Sequence, residues 1–202
     1  MYLKPGYLAI WPTKAYIKQT MPESMKEKFP YLEWIIDRFE IQIRRPNSLT
    51  LQSKSYSTYK SRNTEKELVA YTSSGQIGFI SQLYTGNISD RELTVRSEFL
   101  NLFHHEGTMR LVNSGIQIAD LAQPLGITVN RPACVGNRSQ MTPDAVFPTR
   151  SERIYVKRAI NKINKFHCLT NLSLCLSAPG SENQGWLVCG MLTLFQIPII
   201  SA

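Results

Sequence analysis

The stretch L-E-W-I-I-D-R-F-E-I-Q-I-R-R, Leu32–Arg45, opens with a short apolar run that ends on a carboxylate, Asp37. It continues as an alternating segment in which Ile41 and Ile43 share one face. Apolar, β-branched residues followed by period-two alternation predict a strand, with Asp37 at the end of its buried part. A side chain leaving a strand end is held by the sheet yet open to solvent, so it is placed to handle a metal ion or a proton. An Asp there also serves as a turn former or a helix cap, and the stretch alone does not choose between these roles.

Working outward, the composition bounds the protein class. A chain of 202 residues suits one domain and buries roughly 70% of its unfolded surface. Hydrophobic residues at 43% and charged residues at 19% describe an ordered globular chain, not a disordered one. The net charge of +8 and pI near 9.4 favour an anionic partner, nucleic acid before a membrane surface; a merely soluble basic protein is the other reading. The opening M-Y-L-K-P-G-Y-L-A-I-W-P lacks the basic and apolar blocks of a signal peptide. Trp186–Phe195, the most apolar run, is too short to span a bilayer and reads as a buried helix stopped near Pro198. Cys134, Cys168, Cys175 and Cys189 form no C-x-x-C pair, which argues against a zinc knuckle and for reduced thiols. The expected location is nuclear or cytoplasmic, neither secreted nor membrane-bound.

Upstream, residues 1–31 read as a helical lead-in. It holds a Pro-Gly turn, a helix around Lys14–Gln19 and a second around Glu23–Phe29 introduced by Pro22. Downstream, Pro46–Asn63 reads as a loop rich in Ser, Lys, Arg and Tyr. Arg44, Arg45, Lys54, Lys60, Arg62 and Lys66 gather there among few acids. Cations interleaved with tyrosines suit phosphate contact plus base stacking; local packing of the tyrosines in a solvated loop accounts for them equally.

Glu67–Thr72 and Gln76–Tyr84 are strand-like runs joined by Ser73-Ser74-Gly75, a hairpin signal. A helix is expected from Ser89, with Glu92 at the capping-box spacing, Leu93, Leu100 and Phe103 as its buried stripe, and His104-His105 at its end. Asp90 then reads as a first-turn acid. Thr108–Val112 and a run containing Ile127 and Val129 are further strands, and a basic helix is expected over Ser151–Lys165. Strand, hairpin, helix, strand, strand and long helix together predict a layered α/β domain on a mixed sheet.

Several segments, in order, resemble the DDE superfamily endonuclease domain of Harbinger/PIF-type transposases. They are I-W-P-T-K at Ile10–Lys14, P-E-S-M-K-E-K-F-P, I-I-D-R-F-E-I-Q-I-R-R-P, Y-S-T-Y-K-S-R-N-T-E-K-E-L-V-A-Y-T-S-S-G-Q-I-G-F-I-S, L-Y-T-G-N-I-S-D-R-E-L-T and R-I-Y-V-K-R-A-I-N-K-I-N-K-F. The resemblance implies an RNase H-like mixed sheet flanked by helices, with residues 32–202 forming one endonuclease-like domain. It also implies metal-dependent phosphodiester cleavage of DNA by three acids holding two divalent ions, Mg²⁺ or Mn²⁺.

Carried over by position, the first acid and metal ligand is Asp37. The second falls in V-N-S-G-I, where Asn113 stands in its place, and the third in Y-V-K-R, where Lys157 does. Three ionised carboxylates supply a charge of about −3; Asp37, Asn113 and Lys157 sum to about zero. Lysine has no acceptor for a metal. Even at an effective dielectric of about 20, a like unit charge about 4 Å away costs about 4 kcal/mol, and a divalent ion doubles it. The resemblance therefore implies a domain that has lost cleavage and kept DNA contact through Arg44, Arg45, Lys54, Lys60, Arg62, Arg153, Arg158 and Lys162. That contact is expected to be weakly sequence-specific, without a small-molecule substrate. An active nuclease with a rearranged acid set, and a non-catalytic protein-interaction relic, are the other readings.

Overall fold

The computed structural model describes residues 2–4, 7–103, 107–111, 117–130, 161 and 181–193. The chain forms β1 (Tyr2–Lys4), β2 (Tyr7–Ala9), α1 (Lys14–Thr20), α2 (Glu23–Lys28) and the long strand β3 (Trp34–Gln42). Then come α3 (Leu49–Ser55), β4 (Tyr56–Ser57), β5 (Arg62–Thr72), β6 (Ile77–Ser81), β7 (Tyr84–Thr85) and α4 (Asp90–Arg96). Beyond these lie β8 (Gly107–Leu111), α5 (Ala119–Ala122), β9 (Ile127–Asn130) and α6 (Ser181–Thr193). The expected Pro-Gly turn, the basic helix over Ser151–Lys165, His104-His105 and the segment around Asn113 lie outside the described residues.

The architecture is mixed α/β on one open sheet, in the order β1-β2-β6-β5-β3-β8-β9. β3 pairs along its whole length with β5, antiparallel, from Trp34↔Thr72 to Gln42↔Thr64. Its first residues also pair with β8 in parallel, ending at Ile36↔Leu111, and β8 pairs in parallel with β9. Asp37 is thus not at the end of its strand, as the sequence suggested. It is the first residue of β3 beyond the β8 pairs among the described residues, while the antiparallel ladder carries on past it.

Alternation along β3 and β5 divides the core between two faces. One face carries Ile35, Ile41, Val69, Tyr71 and Ile80 against Met21, Met25 of α2, and Trp186 and Cys189 of α6. The other carries Trp34, Ile36, Leu68, Ala70 and Phe79 against Ile17 of α1, Leu93 of α4, Phe99, Ile118 and Ala122. On this second face the Trp11 and Trp34 rings stack with centroids 4.3 Å apart.

Local chemistry accounts for most element ends. Thr13 and Ser89 accept hydrogen bonds from the Tyr16 and Glu92 amides, capping α1 and α4. The β5–β6 turn closes with Gly75 at φ 81°, a left-handed conformation that glycine adopts without strain. Two expectations need correction. The helix from Ser89 ends at Arg96; Glu98 turns left-handed at φ 58°, and Phe99–Leu102 follow as a 3₁₀ turn. The stretch expected as loop contains α3 and β4, since Leu49–Ser55 has no helix breaker once Pro46 is passed. In the expected helical lead-in, β1 and β2 also extend the sheet through β6.

Glu67 is the anomaly of the core. It is opposite Phe39 in the ladder, fully buried, with no hydrogen-bond partner at either carboxyl oxygen. Desolvation pushes its carboxyl well above the usual range, because burial disfavours the charged form. Between the unfolded and folded titration points the folded chain carries one more proton, so stability falls as pH rises.

Two predictions follow from this packing. Glu67→Gln should match wild type near pH 4 and be more stable at pH 8. The gap should open by up to about 1.4 kcal/mol per pH unit between the two titration points, read from urea midpoints across pH. Gly78→Ala would place a Cβ 2.3 Å from Trp34 Cζ3, with Trp11 stacked on Trp34 to restrict relief; it should cost about 1–3 kcal/mol. Gly190→Ala meets only the flexible end of Ile80 at 2.2 Å and should cost less in the same denaturation assay.

Candidate functional site

The β3–β5 register decides what surrounds Asp37. Its direct partner is Val69, with Glu67 and Tyr71 at the flanking diagonal positions on the same face; such diagonals lie about 7–8 Å apart. The Asp37 side chain is half-buried and accepts the Arg38 amide at 2.8 Å. The Tyr71 hydroxyl is buried without a hydrogen-bond partner. Burial pushes its phenol well up, and the carboxylate of Asp37, with that of Glu67 where it is ionised, adds to that shift. Hard divalent cations require several oxygen ligands with enough anionic charge among them. The flanking positions offer a buried carboxyl whose ionisation is opposed by desolvation, and a phenol, instead. Among the described residues no group of three or more His, Cys, Asp or Glu side chains is arranged to hold a metal. The described donors therefore do not fit a divalent-ion site.

Glu67 and Tyr71 were missed at the sequence level. The signal was present: a carboxylate inside E-L-V-A-Y is as unusual as Asp37 inside I-I-D-R-F. Asn113, Lys157, Arg153, Arg158 and Lys162 lie outside the described residues.

The opposite face of the same strands carries a balanced ion network. Arg38 pairs closely with Asp90, and Lys66 Nζ lies 3.7 Å from Asp90 Oδ1 and 3.9 Å from Glu40 Oε1. Lys66 also donates to the Ile88 carbonyl at 2.7 Å. Burial pulls the Arg38 guanidinium down, but the bond to Asp90 and the nearby acids outweigh it and hold it raised. Asp90 is therefore more than a first-turn acid. Lys66, grouped by sequence with the exposed cations, is buried here with its charge matched. At the rim, Arg91 and Asp120 pair at 2.7 Å.

The remaining cations behave differently. Arg44, Arg45, Lys54, Lys60 and Arg62 are exposed, and among the described residues none forms an ion pair with an acid. Two are oriented by neutral amides. Arg45 Nε donates to Gln52 Oε1 at 2.9 Å, and Arg62 Nη1 to Gln42 Oε1 at 2.6 Å. Gln52 is itself tied to the Pro46 carbonyl at 2.8 Å. Both arginines line a cleft of about 860 Å³, beside Leu49, Tyr56 and Asn63. Nearby, Lys60 Nζ lies 5.3 Å from the Tyr59 ring centroid. The cleft begins at Gln42, five residues along β3 from Asp37, a span of about 17 Å. Sequence reading found these cations and tyrosines; the glutamines that aim them carried no signal, because their partners come from other elements.

No helix among the described residues is long and apolar enough to cross a membrane. No curated protein and no solved structure matches the chain. Residues 36–193 match the family described as DDE superfamily endonuclease. That match opens in β3 just before Asp37 and closes on the last residue of α6, taking in most of the sheet, and the chain belongs to the DDE superfamily endonuclease family.

Proposed function

We propose that this chain is a Harbinger/PIF-type, transposase-derived domain that has lost metal-dependent strand cleavage and retained nucleic-acid binding in the nucleus. DDE superfamily endonucleases generally cleave DNA with divalent metals, and this chain is in that family. The order β6-β5-β3-β8-β9, with three antiparallel strands followed by two parallel ones, supports an RNase H-like arrangement. In that arrangement Asp37 is the first acid. Asn113, two residues past the end of β8, takes the second position and Lys157 the third.

The observation that carries the reading is the charge around Asp37. Its flanking ladder neighbours are a fully buried carboxyl, whose ionisation desolvation opposes, and a buried phenol, and the family positions bring an amide and an ammonium. Lys157 is assigned to the vacated cation position, paired with Asp37. In a Mn²⁺ titration followed by calorimetry, the wild type should give no binding heat. The double variant Asn113→Asp, Lys157→Glu should bind with at least tenfold higher affinity. Nicking of plasmid DNA by wild type in Mn²⁺ overturns the proposal.

One observation favours a second reading, an active site with a rearranged acid set: Glu67 shares the sheet face of Asp37. Under that reading the wild type binds Mn²⁺ and Glu67→Gln abolishes the binding. Its full burial argues against it, since a ligand to a divalent ion must be ionised and desolvation opposes that ionisation.

DNA contact is assigned to Arg44, Arg45, Lys54, Lys60 and Arg62, with Arg153, Arg158 and Lys162. Affinity for a duplex, followed by fluorescence anisotropy, should fall steeply as salt rises. Neutralising Arg44 or Lys54 should flatten the log–log slope by about one each. Binding that ignores salt would favour a protein-interaction relic instead.

A further inference from the structure

We propose that the cleft between α3, β4 and the start of β5 is a binding site for unpaired single-stranded DNA, with one base stacked on Tyr56 and flanking phosphates on Arg45 and Arg62. This deepens the nucleic-acid reading above and rests on it.

The cleft combines features that a duplex backbone alone would not need. Tyr56 lines it and is 45% exposed; Leu49, also lining it, is 78% exposed, and neighbouring Tyr59 is 77% exposed. Large apolar groups left open to water on one small surface mark a contact site. An aromatic ring in a concave cleft is reached by a base that has left its stack, whereas duplex base edges are read by an element that projects into a groove.

Charge supplies the second half of the argument. Arg45 and Arg62 are held by Gln52 and Gln42, so each guanidinium is oriented while its charge is uncompensated. Further guanidinium donors remain for phosphate oxygens. The opposite face shows what the chain does with cations meant for internal use: Arg38 and Lys66 are matched to Asp90 and Glu40. No acid among the described residues lines the cleft.

The backbone fixes the cleft wall. Asn63 Nδ2 donates to the Gln52 carbonyl and to Ser55 Oγ, each at 2.8 Å, tying β5 to α3. The turn into β5 passes through Ser61 at φ 53°, a left-handed conformation uncommon for serine. Ser61 itself lines the cleft. A turn held in this conformation defines the cleft before any ligand arrives.

The test is fluorescence anisotropy at low salt with a fluorescein-labelled twelve-nucleotide oligo-dT and a blunt duplex of the same length. Wild type should bind the single strand more tightly. Tyr56→Ala should weaken that binding roughly tenfold or more and leave the duplex within about twofold, while Tyr56→Trp should restore it. Because Tyr56 is half exposed, circular dichroism should show the Ala variant folded. Equal binding of both probes, or equal losses in Tyr56→Ala, overturns the single-strand site and leaves the broader reading standing. Binding of neither probe overturns both.

Discussion

The antiparallel ladder between β3 and β5 sets every other relation in the molecule. Pairing from Trp34↔Thr72 to Gln42↔Thr64 sends alternate side chains to opposite faces. Asp37, Glu67 and Tyr71 share one side, and Arg38, Glu40 and Lys66 share the other. A slip of β3 by one residue would exchange the faces of all its side chains. It would bury Arg38 under α6 and bring Ile35 out against α4. The two apolar clusters, packed on both sides of the sheet, make such a slip prohibitive.

Three solutions to the problem of charge coexist along these two strands. On the α4 face, cations and acids meet and cancel. Beneath α6, where no cation among the described residues pairs with Glu67, burial instead shifts the carboxyl upward, toward its protonated form. At the far end, beyond Gln42, the arginines are aimed by neutral amides and left uncancelled. Only the last arrangement attracts an anion from outside. The contrast, more than the total charge of +8, is what supports placing the proposed binding at the α3–β5 end of the sheet.

Much of this was legible in the residues. The helix α1, the capped start of α4, the Ser73-Ser74-Gly75 turn and the buried Trp186 helix all rest on short-range chemistry, and each was found; the Thr13 cap of α1 was not. The resemblance in ordered motifs agrees with the family match. Whatever depended on a partner strand was harder. The place of Asp37 within β3 is decided by the ladder with β5, which runs on to Gln42, and the helix break at Glu98 by how Phe99 and Leu100 seat under the sheet. Glu67 is buried opposite Phe39 of another strand, and Phe39 stacks on Trp186 of a distant helix, their rings 6.3 Å apart in near-parallel planes. No local pattern encodes that.

The account stands on the poverty of cation ligands at Asp37, and Mn²⁺ electron paramagnetic resonance on the unmodified chain probes it directly. Adding protein in excess should leave the six-line spectrum of the hydrated ion at full intensity. Loss of that signal on mixing, with its return in Asp37→Asn, would mean that Asp37 anchors a working metal site and would contradict the account.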